Sequence, residues 1–202
     1  MSTGLHNRAR QETPKPHVRP ARVGDCCVLL EPAQAEERDR LRLRQMALQA
    51  RFGGTPMQPV HLTCQRFACP GEQRLQAFQD RLSGVLAGVE PLSFTAFSLQ
   101  VLPVQFRRTN MLKWRIEVTE DVRRFAALVE GSVVAVGIEP LYTSGFIASL
   151  ITALQDVPEL EADQLAGYGG FPHHLFTGQQ MELSRICGPN AFETLAVIPM
   201  LT

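Results

Sequence analysis

The sequence of 202 residues has no net charge, its 20 basic side chains being matched by 20 acidic ones. That balance excludes a globally basic surface for nucleic acid or anionic lipid, so any anion site must be local. No stretch approaches the roughly 18 uninterrupted apolar residues a membrane helix needs. The first residues also lack the apolar core of a signal peptide. The expectation is a cytoplasmic protein with no membrane partner, monomeric by default. Cysteines are few: Cys26, Cys27, Cys64, Cys69 and Cys187. An odd count without an export signal argues against a disulfide framework. His61-x-x-Cys64, with Cys69 close behind, has neither a C-x-x-C pair nor a second histidine beside it. No metal or other cofactor is therefore expected, and the thiols read as small apolar packing groups.

Large apolar side chains are scarce in residues 1–23, where Arg8, Arg10, Lys15, Arg19 and Arg22 face the single acid Glu12. Such a segment cannot form a core and reads as a flexible basic leader. From Cys26 onward the pattern tightens, and 45% hydrophobic residues suffice for one sizeable core or two half-size lobes. Residues 27–30 form a short apolar strand, and residues 33–52 a helix stopped by Gly53-Gly54. Residues 59–67 alternate like a strand, 72–87 form a helix with Leu75, Phe78, Leu82 and Val85 on one side, and 92–104 a longer strand. The order then recurs: a strand at 111–118, a helix capped by Thr119 to about 130, and a strand at 146–153. A weaker helical stretch at 157–166 and two strands, 180–187 and 192–200, complete the chain.

Adding 86 to the residue number carries Leu30-Glu31 onto Ile116-Glu117, His61 onto Ile147 and Thr63 onto Ser149. Element order and constant spacing indicate a duplicated unit. Two antiparallel-rich sheets with helices outside then face each other across a central cleft, an α+β arrangement of two pseudosymmetric lobes. The lobes are expected at about 24–104 and 105–202, with terminal strands open to exchange between them.

His61-Leu62-Thr63 sits in the first cleft-lining strand. Period two puts His61 and Thr63 on one face, an imidazole to move a proton beside a hydroxyl to hold a phosphate oxygen. The strand–helix lead into Pro59-Val60-His61-Leu62-Thr63 resembles the first motif of the 2H phosphoesterases, in their 2′-5′ RNA ligase-like branch. Met181-Glu182-Leu183-Ser184-Arg185, followed by Thr194-Leu195-Ala196-Val197-Ile198-Pro199, is similar to that family's closing strands. The resemblance implies a bilobal domain over residues 24–202 and metal-independent chemistry on 2′,3′-cyclic phosphates or 2′-5′ linkages. The implied partner is an RNA end or a small phosphorylated nucleotide.

The family carries two H-x-T/S motifs, and here the expected second one reads Ile147-Ala148-Ser149. Ser149 can hold an oxygen, whereas Ile147 cannot move a proton. Loss of one acid–base group costs about 10²–10⁴-fold in rate. His173 and His174 lie in an expected loop and compete for the vacant role, but Leu175 follows where a Thr or Ser is needed. Gln65 falls on the His61 face by alternation. Lys113 shares a face with Arg115, either lining the cleft or facing solvent, and Tyr142 is a third candidate contact. Two readings stay open: a slow enzyme working on His61, or a non-catalytic module that binds a nucleotide or RNA end.

Overall fold

In the computed structural model the described residues are 22–104, 109–141, 149–160, 164–165, 168–188 and 191–201. The basic leader before residue 22 therefore lies outside them. Chain order is β1 (Cys26–Pro32), α1 (Ala35–Phe52), β2 (Thr55–Pro56), β3 (Leu62–Phe67), α2 (Glu72–Leu86), β4 (Leu92–Pro103) and β5 (Asn110–Ile116). It continues with α3 (Glu120–Ala135), β6 (Leu150–Val157), β7 (His173–Gly188) and β8 (Ala191–Pro199).

Local chemistry sets the boundaries. Thr119 caps α3 by accepting the Val122 N–H, with Glu120 and Asp121 in the positive first turn. Gly53, at φ 72°, ends α1 in a conformation that suits glycine. β3 begins at Leu62 rather than at the expected residue 59, where Pro59 has no N–H for a ladder. The strand expected at 146–153 runs instead from Leu150 to Val157, taking the start of the weak helical stretch. Of that stretch only Gln164 and Leu165 are helical, and 161–163 and 166–167 lie outside the described residues. His173 and His174 open β7 and are not in a loop. Among the described residues, no helix is long and apolar enough to cross a membrane.

The strands join in the order β2-β6-β5-β4-β7-β1-β3, with β8 added to β7, and every pairing is antiparallel. The third strand of each half of the chain is exchanged: β4 pairs with β5, and β7 pairs with β1. β1–β3 and β5–β6 are thus equivalent pairs, as a duplication requires. Alternate residues of these strands face the helices. Val28, Leu30, Leu62, Trp114, Ile116, Ile151 and Leu183 pack with Leu41, Leu48, Phe78, Leu82, Phe125 and Val129. The opposite face carries a separate small cluster of Cys27, Leu29 and Ile186, against which Phe192 rests.

Gly178 marks the crossing between the two halves. It is opposite Leu92 of β4 on one side and Pro32 of β1 on the other. A Cβ there would meet the Leu30 side chain at 2.6 Å. Leu30 is fully buried and cannot retreat without disturbing the core. Gly178→Ala is expected to destabilise the fold by about 1–3 kcal/mol. Urea denaturation followed by circular dichroism checks this; an unchanged midpoint contradicts the crossing as described.

Candidate active-site groove

His61 stands one residue before β3, and only 7% of its surface is exposed. Its Nδ1 lies 2.8 Å from the Pro59 carbonyl oxygen. A carbonyl can only accept, so Nδ1 carries the proton and Nε2 keeps the lone pair. Burial is the main influence on the ring and lowers its pKa below the usual histidine value. The Pro59 bond opposes this, the charge of Lys113 adds to the lowering, and Glu182 opposes it. The result is a neutral imidazole at pH 7, ready to accept a proton on Nε2. The Phe192 ring meets it edge-on, with centroids 5.6 Å apart.

A β-bulge decides which neighbours share the His61 face. Val28 is opposite Gln65 and Leu29 is opposite Thr63, which leaves Cys64 unmatched. Thr63 therefore lies with Leu29, away from the helices, on the side expected from its alternation with His61. Beyond the bulge the alternation flips. Gln65, expected beside His61, sits instead with core-facing Val28 and is wholly buried. Arg66 takes the groove face, opposite Cys27.

The same irregularity occurs in the second half. Leu112 is opposite Leu154 and Lys113 is opposite Thr152, which leaves Ala153 unmatched. Superposing the two bulges makes Cys64 equivalent to Ala153, Thr63 to Thr152 and His61 to Leu150. Burial agrees: Thr63 and Thr152 are each half-buried, with a buried residue directly before and at least three directly after. The offset between motifs is then 89 residues (61 to 150, 63 to 152), and the second motif reads Leu150-Ile151-Thr152. Ser149 precedes it, with its carbonyl accepting the N–H of Ile116, a core-facing residue. The register thus gives the second hydroxyl position to Thr152 rather than to Ser149. Ile147 and Tyr142 lie outside the described residues.

Lys113 lies on the sheet face turned away from the helices, as Thr63 does. Its neighbours Leu112 and Trp114 face the core, Gln100 and Thr152 flank it on adjacent strands, and its charge reaches His61. Arg115 is on the same face, exposed, with its guanidinium 5.3 Å from the Phe97 ring centroid. Two acids missed by sequence reasoning also belong here. Glu182 is opposite Leu29, and its Oε1 accepts hydrogen bonds from Ser184 Oγ at 2.6 Å and Thr194 Oγ1 at 2.7 Å. Glu31 follows Leu30 in β1, so continuing the Leu30–Leu62 register brings it beside His61. Burial, reinforced by the Glu182 charge and opposed by Arg38, pushes its carboxyl up to about 7. Period-two alternation from Leu29 could have pointed to Glu31, whereas Glu182 shows its place only through the strand register.

His173 and His174 are engaged elsewhere. His174 Nε2 is 3.2 Å from Glu37 Oε1, and its Nδ1 is 3.2 Å from Ser93 Oγ. His173 stacks on Phe171 at 4.5 Å.

By sequence the chain matches no family model and no curated protein. By shape it is similar to TT0787 of Thermus thermophilus, with TM-score 0.61 and 15% identity over 87% of this chain and 97% of that one. It is similar also to E. coli LigT complexed with 3′-AMP, with TM-score 0.58 and 14% identity over 90% and 100%. Usb1 of Kluyveromyces marxianus, with uridine monophosphate, gives 0.53 and 10% over 88% and 98%. At these identities the likeness is one of fold. That fold is the two-lobed α+β fold of the 2H phosphoesterases, as the sequence resemblance implied.

Glu31 carries the pH signature of this groove. Its carboxyl is harder to ionise folded, at about 7, than at its ordinary value of 4.5. Between these values the unfolded chain gives up the proton first, so Glu31 erodes stability as pH rises and does so fully above about 7. Glu31→Gln is expected to raise stability at pH 8 by on the order of 1–2 kcal/mol, discounted for partial exposure. The gain fades as pH falls toward 4.5. Thermal melts at pH 5 and pH 8 check it, and an equal effect at both would contradict the shift.

Proposed function

We propose that the groove recognises the 2′,3′-cyclic phosphate of an RNA end or small nucleotide and opens it slowly, without a metal. The observation that carries this reading is the His61–Pro59 hydrogen bond, which leaves a neutral Nε2 on the same face as Thr63. In the reaction, Nε2 takes a proton from water as the water oxygen bonds to phosphorus. One ring P–O bond breaks, and the freed sugar oxygen becomes a hydroxyl by taking a proton from a donor other than a second imidazole. Thr63 and Thr152 hold non-bridging oxygens, one from each half of the sheet, and Lys113 balances their charge. Two fold neighbours support a nucleotide ligand, since LigT has been crystallised with ATP, 3′-AMP and phosphate, and Usb1 with uridine monophosphate.

Leu150 explains why turnover should be slow. It occupies the place across from His61 where a second imidazole would protonate the leaving oxygen, and an isobutyl group has no proton to give. The same residue favours the alternative of a binding module that has given up catalysis.

The deciding assay uses a 2′,3′-cyclic nucleotide and an RNA bearing that end, with chelator present. Weak turnover abolished by His61→Ala is the expected result. Binding without turnover, weakened by Thr63→Ala, leaves the binding module; neither binding nor turnover ends the proposal. Leu150→His is expected to raise kcat by about tenfold or more. Ile147→His is expected to leave it unchanged, and the reverse ranking would restore the 86-residue register.

A further inference from the structure

We propose that Lys113 is the general acid of this groove, donating from Nζ the proton that the aliphatic Leu150 cannot supply. The inference rests on the reading of the groove as a cyclic phosphodiesterase site and adds a residue role to it. Three observations carry it. Lys113 is directly opposite Thr152, the hydroxyl equivalent to Thr63, and so diagonal to Leu150, a separation of about 7–8 Å that a long side chain spans. It is half-buried between uncharged neighbours, Gln100 on β4 and Thr152 on β6. Among the described residues, no carboxylate forms an ion pair with it and no acceptor hydrogen-bonds it.

A lysine meant only to support the fold would be solvated or paired with an acid. Here two acids, Glu182 and Glu31, share the groove, yet Glu182 is held by two hydroxyls of its own lobe and Glu31 takes up a proton near neutrality. The remaining charged groups on this side are Arg66 on β3, Arg115 on Lys113's own strand, and His61 across from it. Burial pushes the Lys113 ammonium below the ordinary lysine value, the direction that makes it a better proton donor.

The proton balance closes. Water gives one proton to His61 Nε2 as its oxygen bonds to phosphorus. The ring P–O bond breaks, and the departing sugar oxygen takes a proton from Lys113 Nζ. His61 ends protonated and Lys113 neutral, and solvent returns both to their starting states. Acid and base belong to opposite halves of the sheet, so they can flank the phosphorus as an in-line displacement requires.

Lys113→Arg distinguishes proton donation from charge, because a guanidinium stays positive but does not release its proton at neutral pH. With a 2′,3′-cyclic nucleotide as substrate, Lys113→Ala and Lys113→Arg are both expected to lower kcat about 10²-fold, with KM nearly unchanged in the arginine variant. The wild-type rate should fall at high pH as Lys113 loses its proton, and this limb should vanish in Lys113→Arg. Leu150→His placed on Lys113→Ala should restore much of the loss, which also shows that the double variant is folded. Near-wild-type kcat in Lys113→Arg, or a high-pH limb that persists there, overturns the inference while leaving the function intact. Wild-type turnover that survives His61→Ala overturns the underlying function instead.

Discussion

β7 hydrogen-bonds to β4 from Ala96 to Leu92 and then, past Gly178, to β1 and β8. Every element of the groove hangs on that one continuous strand. Because a single backbone carries the ladder from one half to the other, the face of β3 that bears His61 and the face of β5 that bears Lys113 are held at a fixed separation. No hinge loop lies between them. The exchange of third strands has the same effect, since neither half can form its sheet from its own sequence alone. A cleft built this way is closer to a crease in one sheet than to a gap between two bodies.

Much of this was legible in the sequence. α1, α2, β4 and β8 begin and end within a few residues of where periodicity, Gly53-Gly54 and Pro70-Gly71 put them, and antiparallel strands with a strand–helix–strand repeat announced the architecture. His61 and Thr63 were legible because alternation holds locally. What failed was alternation carried across a bulge. Gln65 lies two residues past Thr63, and period two assigns it to the same face, but the unmatched Cys64 turns it into the core and brings Arg66 out. A single extra residue leaves no mark in composition or hydropathy, so the flip is visible only in the pairing register.

The second motif illustrates the same limit at longer range. A constant offset assumes that both halves have loops of equal length, whereas β1 and β5 are 84 residues apart at both ends (26 to 110, 32 to 116). The loop before β6 is longer than its counterpart by a few residues, so motif equivalence moves to Leu150-Ile151-Thr152. His61-Leu62-Thr63 and Leu150-Ile151-Thr152 share an apolar middle residue and the terminal threonine, a likeness too short to stand out without the shared bulge. Glu31 and Glu182 were hidden for a different reason: each looks like an ordinary charge until the opposing strands remove it from water.

The Pro59 carbonyl bond to His61 sets a direction for traffic in the groove. Many histidines hand a proton from one ring nitrogen to the other side through a carboxylate or a water chain. A peptide oxygen accepts such a bond but offers no onward path, so for this imidazole the far side is a dead end. Whatever it takes up on Nε2 must leave by the mouth through which the ligand came. Shedding that proton and clearing the product therefore share a single exit, and the ring is reset only once the groove has emptied or filled with solvent.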